Sequence, residues 1–137
     1  MSRSGYTDDC DNLALWRGAV VAAAKGKRGQ KLLRELAEAL DAMPVKELVA
    51  EELQAGDSYC ALGVVGAKRG VDLASIDTLD PDQLSKAFDI APCLAQEIEF
   101  INDDDFSYRS QTETPADRWQ RVRKWVQAVI DNPASAY

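Results

Sequence analysis

The chain has 137 residues, 46% of them apolar, with three cysteines, no histidine and a formal charge of −7. That length allows one domain with a modest core, and that apolar content argues against a disordered chain. The missing histidine excludes Ser-His-Asp and Cys-His nucleophilic centres, an imidazole general base and every histidine-containing metal site.

Apolar spacing predicts helix nearly throughout. Leu13, Trp16, Val20 and Ala23 mark a first helix that "GKRG" closes. Leu32, Leu33, Leu36, Leu40 and Met43 mark a second, with Lys31 and Glu35 as an i,i+4 pair and Pro44 as its stop. Leu48, Val49 and Leu53 fit a short helix, the favoured reading of this segment. The alternative is a small β-hairpin around residues 47–62, turning at Gly56-Asp57. "ALGVVGAKRG" reads as a short helix whose glycines allow close packing. "DPDQLSKAF" opens with Asp80 as N-cap and Pro81 at the first helical position, and "APCLAQEIEFI" repeats the device with Pro92. In the last helix Thr114, Pro115 and Asp117 approximate a capping box. Trp119, Val122, Val126 and Val129 line its apolar face, Arg118, Arg121 and Lys124 the opposite one, and Asn132-Pro133 ends it. The fold class is therefore mainly α: residues 1–137 form a compact single-domain bundle of five to six helices.

Charge is unevenly spread. Residues 1–34 carry +4, 35–60 carry −6, 61–114 carry −7 and 115–137 carry +2, so basic ends flank an acidic middle. Such a surface repels nucleic acid over most of its area and attracts basic protein surfaces. No apolar run approaches the roughly eighteen residues of a membrane span. The N-terminal "MSRSGYTDDCDN" lacks the apolar core of a secretory signal, so a cytoplasmic protein is expected. Cys10, Cys60 and Cys93 are odd in number and widely spaced, as expected of reduced thiols rather than a disulfide framework or a thiolate zinc site.

Asp103, Asp104 and Asp105 stand where an apolar helical run ends. An EF-hand loop starting at Asp103 would require Gly at position 6 and Glu at position 12, where this chain has Tyr108 and Thr114. A solvated loop, with one aspartate paired to an arginine of the following helix, is the simpler reading. "GKRGQK" fails as a phosphate loop, because Val21 occupies the leading glycine position and Arg28 follows Lys27. "LSKAFDIAPCLAQEI" resembles a helix-turn-helix, with Ser85, Asp89, Ile90, Ala95 and Ile98 at the diagnostic positions. Its second helix, however, offers Gln96 and Glu97 but no Lys or Arg for phosphate contacts. Trp16 and Trp119 fall on apolar stripes, whereas Trp125 lies off its stripe and is a candidate interface anchor.

The ordered segments "SGYTDDCDN", "RGQKLLRELAEALDAMP", "CALGVVGAKRG", "AFDIA" and "ETPADRWQRVRKWV" resemble a family of small proteins common in phages and prophages. Asp89 stands where glycine is expected in such relatives. The resemblance carries no metal-ligand or nucleophile motif. What it implies is a setting in which small accessory proteins act by binding a host protein, including components of host defence.

The leading expectation is a non-enzymatic phage accessory protein in the bacterial cytoplasm that docks on a basic surface of a host protein, such as a CRISPR effector. The expected binding residues are Asp103, Asp104 and Asp105, with Glu51, Glu52 and Asp57 as a second patch and Trp125 as an anchor. No catalytic residue, metal or cofactor is expected, and a homo-oligomer joining basic ends to the acidic middle is compatible. The alternatives are a helix-turn-helix regulator and a histidine-free metal enzyme centred on the aspartates.

Overall fold

The computed structural model describes residues 13–103 and 113–137. These comprise six α-helices, α1 (Leu13–Lys25), α2 (Lys27–Asp41), α3 (Ala61–Arg69), α4 (Pro81–Phe88), α5 (Pro92–Asp103) and α6 (Pro115–Asp131). A two-stranded antiparallel hairpin, β1 (Gln54–Ala55) and β2 (Ser58–Tyr59), precedes α3, and 3-10 turns lie at Leu73–Ser75 and Pro133–Ala136. The mainly helical bundle expected from the periodicity is the fold observed.

α5 occupies the middle, packed against α1, α3, α4 and α6, while α2 closes the bundle across α1, α3 and α6. Leu32, Leu33, Leu36 and Leu40 of α2, Leu94 and Ile98 of α5, and Val122, Val126 and Val129 of α6 all join one core. The helix starts follow the sequence signals. Asp80 Oδ1 accepts from Asp82 N at 3.0 Å to cap α4. Thr114 and Asp117 bond reciprocally, Asp117 N to Thr114 Oγ1 at 3.1 Å and Thr114 N to Asp117 Oδ2 at 3.4 Å, which completes the capping box.

α1 and α2 are separated by Gly26 alone. The first turn of α2 then lies directly on the last turn of α1, so a Cβ on Gly29 would stand 2.0 Å from the Ala23 carbonyl oxygen. The expected Lys31–Glu35 support is present as an attraction of charge, but the stronger partner is Arg69 of α3, which gives Glu35 a two-pronged bond at 2.8 and 2.7 Å. That guanidinium holds the Glu35 carboxyl below its ordinary range.

The short helix favoured around Leu48–Leu53 does not form; the hairpin alternative does. The backbone groups of this segment find tertiary partners instead of i−4 carbonyls: Leu48 N donates to Pro115 O at 3.1 Å and Val49 N to Tyr59 O at 3.0 Å. Glu51 adopts φ of 69°, which a right-handed helix does not permit. Apolar spacing detected that Leu48 and Leu53 point inward, and both are buried. It could not distinguish a helix from a chain pinned at several points.

Candidate functional site

The acidic run that draws attention in the sequence divides in the structure. Asp104 and Asp105 lie outside the described residues. Asp103 is the last residue of α5 and is only 6% exposed. Its Oδ1 accepts from Glu51 N at 3.0 Å and from Asn102 Nδ2 at 2.8 Å. Asp103 is thus turned inward to hold the 49–53 segment, which corrects its placement on a binding surface.

Asn102, fully buried, links the same elements. Its Oδ1 accepts from Ala61 N at 3.0 Å, satisfying a donor at the start of α3, and its Nδ2 donates to Val49 O at 2.9 Å. The terminal carbonyls of α5 are closed by α6. Arg118 Nε donates to Asn102 O at 2.9 Å and its Nη1 to Leu48 O at 3.2 Å. Arg121 donates to Ile101 O, and to Asn102 O at 3.3 Å. Glu113, its side chain only 3% exposed, pairs with both arginines, at 2.7 Å to Arg121 and 3.5 Å to Arg118. Arg118 and Arg121, on the face opposite the apolar stripe, are thus drawn into the bundle, with side chains 9% and 14% exposed. The pairing expected between an arginine of this helix and one aspartate of the run involves Asp104 and Asp105, which lie outside the described residues; among the described residues, both arginines pair with Glu113.

Glu51, Glu52 and Asp57 remain exposed, and the first two line a common cleft. Glu51, Glu52, Leu53, Gln54 and Gly56 form one wall of a cleft of about 470 Å³, and Leu73, Ala74, Ile76 and Thr78 form the other. Asp57 adjoins the first wall, and Asp72 and Asp77 adjoin the residues of the second. Residues 47–67 and 70–85 together contain eight acidic residues and no Lys or Arg. None of Glu51, Glu52, Asp57, Asp72 and Asp77 makes an ion pair among the described residues. The second wall was missed in the sequence. Its signal was there: "VDLASIDTLDPDQLS" combines acids and apolar residues without a single cation.

The helix-turn-helix segment does fold as two helices across a tight turn, with Asp89 in the left-handed region at φ of 54°. No residue of α5 is exposed, because this helix is the centre of the bundle. A recognition helix must present a face to a DNA groove, and α5 has none to present. Trp125 is half-buried against the core and donates its Nε1–H to Ala136 O at 3.3 Å. It straps down the chain's own C-terminal turn. Trp16 and Trp119 are also half-buried, with their indole N–H groups on Glu97 Oε2 at 3.1 Å and on Leu40 O at 3.2 Å.

At the α1–α2 junction, Lys25, Lys27, Arg28, Lys31 and Arg34 are all exposed. A recess of about 300 Å³ lies beside them, lined by Arg28, Lys31 and Arg69 but also by Glu35 and Asp89. Arg69 is held by Glu35, and Arg28 reaches Asp89 at 3.2 Å, so the recess is largely self-neutralised.

Cys60 and Cys93 are free thiols; Cys60 is buried and its Sγ accepts from Gly63 N at 3.4 Å at the start of α3. Burial pushes the Cys93 thiol up, away from the reactive thiolate. Among the described residues no group of three or more Cys, Asp or Glu is arranged to hold a metal ion. No helix among them is long and apolar enough to cross a membrane. Comparison with protein-family models, curated proteins and solved structures finds no match for the chain.

Proposed function

We propose that this is a non-catalytic binding protein whose acidic cleft docks a basic surface of another protein. The observation that carries the reading is the cleft between Glu51–Gly56 and Leu73–Thr78, whose lining and flanking carboxylates make no ion pair among the described residues. Like charges left unpaired at a surface repel one another, and a cationic partner relieves that repulsion on docking. Charge complementarity of this kind speeds association and sets register more than it adds affinity. The resemblance to small phage and prophage proteins makes a host protein the partner class. A nucleic-acid-binding groove on a defence effector is one basic surface of that type.

The test is affinity capture from bacterial lysate at low and high salt, read by mass spectrometry. The wild type is compared with a Glu51→Gln/Glu52→Gln/Asp57→Asn variant and with an Asp104→Asn/Asp105→Asn variant. A basic protein captured by the wild type, released by salt and lost with the first variant is the expected result. Capture insensitive to both salt and the cleft substitutions would overturn the reading.

A further inference from the structure

We propose that the cleft receives an extended segment of its partner, bearing Lys or Arg residues, which adds as a strand to the free edge of β1. This rests on the docking role assigned to the cleft and specifies what enters it.

The ladder geometry supplies the edge. Gln54 pairs with Tyr59 and Ala55 with Ser58 across the Gly56-Asp57 turn. Cys60 N donates to Leu53 O at 3.2 Å, so the intervening Gln54–Tyr59 pair falls at a non-hydrogen-bonded position of the antiparallel ladder. The backbone groups of both residues then point away from each other. On the β2 side the outward carbonyl of Tyr59 is taken by Val49 N at 3.0 Å. On the β1 side, the outward N–H and C=O of Gln54 have no backbone partner among the described residues, and Gln54 is one of the residues that line the cleft. An unpaired edge of this sort is a template for another strand.

The side chains around that edge state the chemistry of the guest. Alternate residues of an added strand face opposite ways. One set would meet Glu51 and Glu52, with Asp57 at the turn. The other would reach the apolar part of the cleft at Leu73 and Ile76. An open cleft of about 470 Å³ has room for a few side chains of a segment laid along it. Cations alternating with apolar residues satisfy both sets.

The experiment uses the full chain and three fluorescent octapeptides: alternating Lys-Val, the same peptide N-methylated on its lysine amides, and the same peptide N-methylated on its valine amides. In a bound strand only one alternate set of amides faces β1. One methylated peptide should therefore bind about ten-fold more weakly than the parent, the loss expected for one good backbone hydrogen bond, while the other binds unchanged. Backbone amide shifts in the protein should cluster at residues 51–56 and 73–78, and Glu51→Gln/Glu52→Gln should weaken the parent peptide. Equal binding of all three peptides that still depends on Glu51 and Glu52 would overturn strand addition and leave the docking role standing. If no peptide binds, strand addition falls, and the lysate capture decides the docking role separately.

Discussion

Arg118 donates its Nε–H to the carbonyl of Asn102 at 2.9 Å, so a cation from α6 closes the C-terminus of α5. This contact explains how a helix can end in aspartate. The carbonyl end of a helix disfavours an adjacent anion, but here two arginines sit on the last carbonyls and Asp103 turns aside to accept from Glu51 N.

Arg118→Met should remove the donors to Asn102 O and Leu48 O in a site where water cannot replace them. A loss of about 3 kcal/mol, or about 10 °C in Tm, is expected from two bonds made by a buried charged donor. Arg118→Lys should recover less than half of it, since an ammonium cannot span both carbonyls as a planar fork does. Urea unfolding checks this; a loss below about 1 kcal/mol for the Met variant would show that Arg121 alone can close the helix.

Two glycines should respond in opposite directions to alanine. A Cβ on Gly63 would stand 1.9 Å from the Leu53 carbonyl oxygen, the acceptor that Cys60 N uses, so backbone must move. Gly63→Ala should cost about 2 kcal/mol or more. Gly18 has nothing within 4 Å of its would-be Cβ and lies within α1. Gly18→Ala should gain about 0.5–1 kcal/mol through helix propensity and a less flexible unfolded chain. Thermal midpoints of the two variants, falling on either side of the wild type, are the check.

Local signals were legible where local chemistry decides the structure. The caps at Asp80 and Thr114, the prolines at 81, 92 and 115, and the leucine stripe of α2 each announce an element from within a few residues. The 47–53 segment was misread because its hydrogen-bond partners, Pro115 and Tyr59, are distant or lie beyond a turn. Asp103 was misassigned, and the role of Arg118 missed, for a related reason. A charged residue is normally solvated, and only the tertiary arrangement shows carbonyls waiting for Arg118 and an amide for Asp103. Asp89 replaces the expected glycine yet keeps the left-handed turn, which Asp tolerates better than most residues. Of the cleft, the hairpin wall was visible as Glu51, Glu52 and Asp57. The wall at 73–78 was not, because nothing in either segment specifies that they face each other.

Glu97 should leave a signature in the dependence of stability on pH. It is 1% exposed in the core-facing side of α5. Trp16 Nε1–H and the Tyr137 hydroxyl both donate to its carboxylate, and Arg17, whose guanidinium lies 4.9 Å from the Tyr137 ring centroid, attracts its charge. Burial outweighs these and raises the Glu97 carboxyl above the ordinary glutamate value of 4.5. The folded state therefore binds this proton more tightly than the unfolded chain does. Its contribution to stability is fully present below pH 4.5 and declines as pH rises through the raised folded value. Glu35 and Asp41 act in the opposite sense. Arg69 and Arg123 lower their carboxyls, so their contributions fade as pH falls below the ordinary carboxylate range. Comparison with Glu97→Gln isolates the one term from the other two. Unfolding midpoints measured from pH 4 upward should show the wild type losing ground to Glu97→Gln as pH increases, with a constant difference once the carboxyl is ionised. A difference that stays flat across the whole range would mean that the bonds from Trp16 and Tyr137 compensate the burial fully.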